Sequence, residues 1–120
     1  MRVIELNSES IEAFIRRQPV TAVVYFTPND RRIDAILREF SAVAQTFEEL
    51  VAFGSLNVAA SENTEILTKC YVVMTPTVIY YRFGEECGDD LGEDKIMKWL
   101  DHDSIVHRCG HTDSWLRLVR

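Results

Sequence analysis

Cysteine is scarce in this sequence, and it is missing from the first 69 residues. The chain has three cysteines, Cys70, Cys87 and Cys109, which is an odd number at wide spacing. A small secreted domain that is cross-linked by disulfides would carry more cysteines, in an even number. The sequence therefore predicts no disulfide framework, and the setting expected for the chain is reducing and cytoplasmic.

Long apolar runs and an excess of positive charge are also missing. No apolar stretch approaches the ~20 residues that a membrane-spanning helix needs, and residues 1–5 do not resemble a secretory signal. Lys and Arg total 13 against 19 Asp and Glu, which gives a net charge of −6. Broad nucleic-acid binding needs a positive surface that displaces counterions. We therefore expect neither a membrane nor a nucleic acid as the partner.

The residues that are present suffice for one folded domain. The chain has 120 residues, of which 47% are hydrophobic and 27% charged, as in an average globular protein. The hydrophobic pattern predicts the element order βαβαβαββα over residues 1–101, followed by a C-terminal extension over 102–120 where the pattern weakens. The nearly continuous apolar run at 21–26 is typical of a central strand buried on both faces. These features predict an α/β fold with a mixed sheet.

Two motifs carry a resemblance to a known family. The first is Met74-Thr75-Pro76-Thr77 followed by the strand at 78–81, and the second is an apolar strand ending at Phe26 before a loop and a helix. With this element order, the chain resembles thioredoxin over residues 3–100. The resemblance implies a three-layer fold with a central mixed sheet flanked by helices. It also implies a cis bond before Pro76 that leaves the Thr75 backbone able to pair with an extended peptide.

The resemblance fails where thioredoxins carry their dithiol. An alignment without gaps from Phe26 to the strand at 51–58 puts Asp30 at the family's Trp position and residues 31–34 in the Cys-Gly-Pro-Cys window. The family's buried Asp falls at Tyr25, and its helix-kinking Pro falls at Glu39. Disulfide exchange needs an attacking thiolate and a resolving thiol. We therefore expect a thioredoxin-like fold without dithiol activity, which is not an enzyme and needs no cofactor or metal.

Three interpretations of the replaced loop stay open. The simplest is helix initiation, with Thr27 or Asp30 as the cap and Pro28 at the first helical position. The second is anion binding by the guanidinium groups of Arg31 and Arg32 near a helix N-terminus, unless Asp34 neutralises one of them. The third is docking of a protein partner. The residues predicted to bind that partner are Arg31, Arg32, Ile33, Asp34, Thr75 and Pro76.

The first functional hypothesis is an interaction or scaffold module, or a subunit of a larger assembly, that binds a partner segment in the groove between the two motifs. In that groove Ile33 would supply an apolar contact. The alternative is a redox protein that uses the single thiol Cys70 in mixed-disulfide or glutathione chemistry. A buried structural Cys70 is the simpler expectation. Self-association into a homodimer, through the groove or the tail, is a further alternative.

Other polar clusters give weaker signals. Cys70 and Cys87 could pair only if the fold brings their Cα atoms within about 7 Å. The histidines and the cysteine at 102, 107, 109 and 111 match no zinc module, and we expect no metal site there. The acidic residues between 85 and 94 favour a solvated sheet edge over a calcium loop. The apolar and basic C-terminal residues around Trp115 would either cover one face of the domain or contact a partner.

Overall fold

The computed structural model describes residues 3–47, 51–69, 72 and 74–109. This part of the chain contains five strands and five helices. A single 3-10 turn at Ser61–Asn63 precedes the third helix. The elements are β1 (Val3–Leu6), α1 (Ile11–Arg17), β2 (Val20–Phe26), α2 (Ile33–Ala44), β3 (Val51–Asn57), α3 (Ile66–Lys69), β4 (Thr77–Arg82), β5 (Glu85–Leu91), α4 (Glu93–Trp99) and α5 (His102–Cys109).

The five strands form one mixed sheet in the order β1-β3-β2-β4-β5. Strands β1, β3 and β2 run parallel, and β4 and β5 are antiparallel to their neighbours. The predicted mixed α/β fold is therefore confirmed. Strand β2 lies at the centre of the sheet and is buried from Val20 to Tyr25, as expected for a β-branched run with helices on both faces.

Each face of the sheet carries its own hydrophobic core. The larger core lies between the sheet and α2, α4 and α5, where the Phe53 ring packs against Phe40 at 5.3 Å and Phe47 at 5.5 Å between centroids. The smaller core lies under α1 and α3, and it includes a hydrogen bond of 2.7 Å between the Tyr25 and Tyr81 hydroxyls. Alternate residues of β2 serve the two cores, because successive strand side chains point to opposite faces.

Helix α5 occupies the first part of the predicted C-terminal extension. It packs against β4 and β5, and Ile105 is completely buried in the larger core. Residues 102–109 thus contribute to the core of the domain rather than following it as a separate segment. The rest of the predicted extension, residues 110–120 with Trp115, lies outside the described residues.

The turn between β4 and β5 strains an exposed aromatic residue. Phe83 has a φ of 51° and Gly84 a φ of 85°, and Phe83 is 68% exposed. A two-residue hairpin turn with both φ angles positive favours Asn-Gly, because a bulky side chain fits the left-handed region poorly. We expect Phe83→Asn to raise the free energy of unfolding by about 1 kcal/mol in urea denaturation.

The matched control is Phe83→Ala, which removes the same exposed ring but leaves a side chain that gains nothing in the left-handed region. It should change stability by less than about 0.5 kcal/mol. Equal stabilities of the Asn and Ala variants would mean that the turn stores no backbone strain.

Candidate functional site

The candidate site lies where the end of β2, the start of β4 and the end of β5 meet. The sheet register pairs Tyr25 with Thr77 and Thr77 with Leu91, which places these strand ends side by side. The site consists of loop 27–32, turn 74–76 and residues 91–93, and this set of residues is called the candidate site below. The fold thus brings together the two sequence motifs that carried the resemblance.

Asp30 links the loop to the turn. Its Oδ2 atom accepts a hydrogen bond of 2.7 Å from the Thr27 backbone N–H. Its Oδ1 atom accepts one of 3.1 Å from the Thr75 hydroxyl. Because both carboxylate oxygens are engaged, one side chain fixes the position of the loop relative to the turn.

Helix α2 begins later than the capping interpretation predicted. Its first residue is Ile33, and its N-cap position is Arg32, which has a φ of 60° and makes no side-chain cap. Neither Thr27 nor Asp30 caps the helix, and Pro28 is not its first residue. The Asp30 carboxylate binds the Thr27 N–H and the Thr75 hydroxyl instead, and these bonds order the loop before the helix starts.

Arg31 reaches across the site to α4. Its side chain is 86% exposed, and its Nε atom lies 3.6 Å from Oε1 of Glu93, whose side chain is only 18% exposed. The carboxylate that meets Arg31 is therefore Glu93, where the sequence suggested Asp34. Arg32 and Asp34 are both exposed at the start of α2.

The turn before β4 is held by hydrogen bonds to its main-chain carbonyl groups. The Thr75–Pro76 peptide bond is cis. The Pro76 carbonyl accepts a hydrogen bond of 2.9 Å from the Gly92 N–H, and the Met74 carbonyl accepts one of 2.6 Å from the Thr77 hydroxyl. Pro76 is buried, and Thr75 is partly exposed at the surface of the site.

The apolar surface of the site does not come from Ile33. That residue is 7% exposed and packs in the larger core, so its predicted role as a partner contact is corrected. The exposed apolar residues are Met74, which belongs to the first motif but was not among the predicted partner-binding residues, and Leu91, which was not predicted; they are 45% and 37% exposed. Leu91 could have been found from the sequence, because it is an apolar residue at the end of a strand directly before Gly92.

The acidic stretch before the site is not uniformly solvated. Asp90 is 1% exposed, and its Oδ2 atom accepts a hydrogen bond of 3.0 Å from the Tyr80 hydroxyl. The expectation of a solvated acidic edge is therefore wrong for Asp90, which pairs in register with Val78 and shares its face. Partial burial and the neighbouring carboxyl of Asp89 raise the pKa of Glu86 above its ordinary value.

The cysteines and histidines lie outside the candidate site. Cys87 is disulfide-bonded, which the cysteine spacing did not predict. His102 stacks on the Phe47 ring at 4.3 Å between centroids. Cys70 and His111 lie outside the described residues, as do the side chain of Cys109 and the apolar C-terminal segment. Within the described ranges, no cluster of three or more His, Cys, Asp or Glu side chains could hold a metal ion.

The fold has well-matched counterparts among solved structures. Thioredoxin f from spinach chloroplast superposes with a TM-score of 0.74 at 17% identity, over 89% of this chain and 86% of that one. Thioredoxin from Trypanosoma brucei brucei gives a TM-score of 0.71 at 22% identity, over 88% of each chain. Mitochondrial thioredoxin 3 from Saccharomyces cerevisiae gives 0.68 at 14% identity, over 92% of this chain and 95% of that one. The chain has a thioredoxin-like fold.

The likeness is one of structure rather than of sequence. No family model matches the chain, and a search of the curated proteins finds no match. The thioredoxin-like fold therefore places the candidate site, while the chemistry of that site has to be argued from its own residues. None of the helices that the structure describes is long and apolar enough to cross a membrane.

Proposed function

We propose that this chain is a redox-inactive thioredoxin-like protein that binds an extended segment of a protein partner at the candidate site. It would act as an interaction or scaffold module, or as a subunit of a larger assembly. The observation that carries the proposal is the Asp30 carboxylate, which joins the loop to the Thr75 hydroxyl. An ordered loop and turn support a binding role for a site that has no thiol in its loop.

The residue types in the loop argue against thiol chemistry. The window that holds two cysteines in thioredoxins holds Arg31, Arg32, Ile33 and Asp34 here. A guanidinium group or a carboxylate can neither attack a disulfide nor resolve a mixed one, since both steps need a thiolate. Binding, by contrast, needs only a shaped surface with charge and apolar contacts, which this site retains.

The exposed groups indicate what kind of segment would fit. The guanidinium groups of Arg31 and Arg32 suit a carboxylate on the partner, which would compete with Glu93 for Arg31. Met74 and Leu91 offer exposed apolar surface beside them. The Thr75 backbone would pair with the main chain of the segment as an added strand. The proposed ligand is therefore an extended segment that combines acidic and apolar side chains.

The test is a comparison of three forms of the protein as baits for affinity capture from native lysate. The site variant carries Arg31→Glu and Thr75→Arg. The control variant carries Arg17→Glu and Thr64→Arg, which make the same two exchanges at exposed positions in α1 and after the 3-10 turn. We expect a partner that the wild type and the control capture equally and the site variant captures at least about tenfold less, which corresponds to 1.4 kcal/mol.

The same capture with dithiothreitol separates the proposal from the single-thiol alternative. A partner held by the candidate site stays bound under reduction, whereas one held through a mixed disulfide on Cys70 is released. Equal capture by the wild type and the site variant would reject the candidate site as the binding surface. Circular dichroism of both variants checks that each is folded.

A further inference from the structure

The two carboxylates of the candidate site, Asp30 and Glu93, differ in their hydrogen bonding. Both oxygens of Asp30 accept hydrogen bonds, one from the Thr27 N–H and one from the Thr75 hydroxyl. The Oε1 atom of Glu93 faces the Nε atom of Arg31 at 3.6 Å. Its Oε2 atom is buried and has no hydrogen-bond partner in the part of the chain that the structure describes. Glu93 is therefore the carboxylate of the site that can still accept hydrogen bonds.

The surroundings of Glu93 make it dependent on Arg31. The Glu93 side chain is 18% exposed, whereas that of Arg31 is 86% exposed. A Cβ atom added to Gly92 would lie 3.4 Å from the Met74 Cε atom, so the end of the Met74 side chain lies close to the backbone just before Glu93. A separation of 3.6 Å is too long for an ordinary hydrogen bond. Arg31 thus offsets the charge of Glu93 without satisfying its oxygens.

A carboxylate on the partner would disturb this ion pair. In the proposed function, an acidic side chain of the partner segment competes with Glu93 for Arg31. When Arg31 turns to the partner, Glu93 loses the only ion pair that the described residues give it. Taking the cation away from a carboxylate that is mostly buried is unfavourable, because the remaining charge is uncompensated. A segment with acidic side chains alone would therefore bind weakly.

We infer that Glu93 determines the specificity of the candidate site by selecting a partner segment that carries a Lys or Arg side chain beside its acidic one. The inference rests on the proposed function. The acidic side chain of the partner binds Arg31, and its basic side chain donates a hydrogen bond to Glu93. One internal ion pair is thereby exchanged for two intermolecular ones, whose hydrogen bonds are charge-assisted. A segment without the basic side chain is disfavoured by the carboxylate that it leaves unpaired.

The strand pairing proposed at Thr75 sets the spacing of the two charges. In an extended segment, residues two positions apart point to the same face and lie about 7 Å apart. Arg31 and Glu93 face each other in the site, so the charged side chains that bind them belong on one face of the segment. The preferred pattern is an acidic and a basic residue separated by one residue, beside an apolar residue that contacts Met74 and Leu91.

Selection from a displayed library of random nine-residue peptides tests the inference. The baits are the full-length wild type, Glu93→Gln, Asp94→Asn, and the site variant with Arg31→Glu and Thr75→Arg. Gln keeps the shape of Glu93 without its charge, and Asp94→Asn is the matched control that removes an exposed charge at the next position. We expect the wild type and Asp94→Asn to enrich an acidic residue with Lys or Arg two positions away. Glu93→Gln should enrich the acidic residue without the basic one.

The affinity of one enriched peptide gives the size of the effect. Replacing its Lys or Arg with norleucine should weaken binding to the wild type by about tenfold or more. The same replacement should change binding to Glu93→Gln by less than about twofold. The comparison on the wild type needs no variant of the protein, so it decides the question even if Glu93→Gln does not fold.

The outcomes separate this inference from the proposed function. Peptides that the site variant fails to bind but that show no preference for a basic residue would overturn the role of Glu93 alone. An unchanged preference for the basic residue in Glu93→Gln would do the same. No enrichment by the wild type, or enrichment of the same peptides by the site variant, would overturn the proposed function and the inference together. Circular dichroism checks that each bait is folded.

Discussion

Replacing Phe53 with Ala is expected to lower the free energy of unfolding by about 3–5 kcal/mol. Phe53 is completely buried in β3, and its ring packs against Phe40 and Phe47 in the larger core. Truncation loses the transfer free energy of the ring and leaves a cavity between the sheet and α2. Urea denaturation followed by circular dichroism measures the change.

Phe83→Ala is the matched control for this substitution. It deletes the same ring at a position that is 68% exposed, where we expect a change below about 0.5 kcal/mol. A loss of less than about 1 kcal/mol in Phe53→Ala would contradict the packing of the larger core around β3.

Tyr80→Phe is expected to destabilise the protein by about 1–3 kcal/mol, the cost of removing the donor from a buried polar acceptor. The Tyr80 hydroxyl donates to Asp90, whose side chain is buried beneath the helices of the larger core. Without that donor, a buried carboxyl group keeps its desolvation cost but loses a compensating bond. The measurement is again the free energy of unfolding in urea.

Tyr25→Phe provides the comparison, because it removes a buried hydroxyl that bonds to another neutral hydroxyl, that of Tyr81. Its expected cost is about 1 kcal/mol. Tyr80→Phe is compared directly with Tyr25→Phe through the free energy of unfolding. If Tyr80→Phe lowers it no more than Tyr25→Phe does, the bond from Tyr80 does not stabilise the buried Asp90 carboxyl.

The regular elements could be predicted from the sequence because their patterns are local. The buried run of β2 and the long apolar stripe of α2 have the periods of a central strand and an amphipathic helix. Strand β4 contains the run at 78–81 that the sequence predicted as a strand. The bounds of helix α5 were not predicted, because residues 102–109 fall in the predicted C-terminal extension, where few apolar residues give little periodicity.

The candidate site could be located from the sequence but not described in detail. Its two motifs were visible as the loop after Phe26 and the turn at Thr75–Pro76, but their mutual contacts are long-range. The bond from Thr75 to Asp30 and the pair of Arg31 with Glu93 join residues far apart in the chain. The burial of Asp90 was equally hidden, since an acidic residue among other acidic residues is typical of a solvated edge.

The burial of Ile33 shows how one residue of a motif can be misassigned. Ile33 lies in the sequence window that bears the dithiol in thioredoxins, and this position suggested that it contacts a partner at the surface. By periodicity it is the first member of the apolar stripe of α2, and the structure buries it with Ile36 and Phe40. The helical period was the stronger signal, because burying a large aliphatic side chain contributes about 1.5–3 kcal/mol.

The proposed function requires that the candidate site bind a partner segment without thiol chemistry. The most direct test is the dissociation constant of the captured segment, measured by calorimetry under dithiothreitol for the wild type, for Arg31→Glu with Thr75→Arg, and for Arg17→Glu with Thr64→Arg. We expect equal affinities for the wild type and the control, and an affinity at least about tenfold lower for the site variant. Equal affinities for all three proteins, or binding that vanishes under dithiothreitol, would contradict the proposed function.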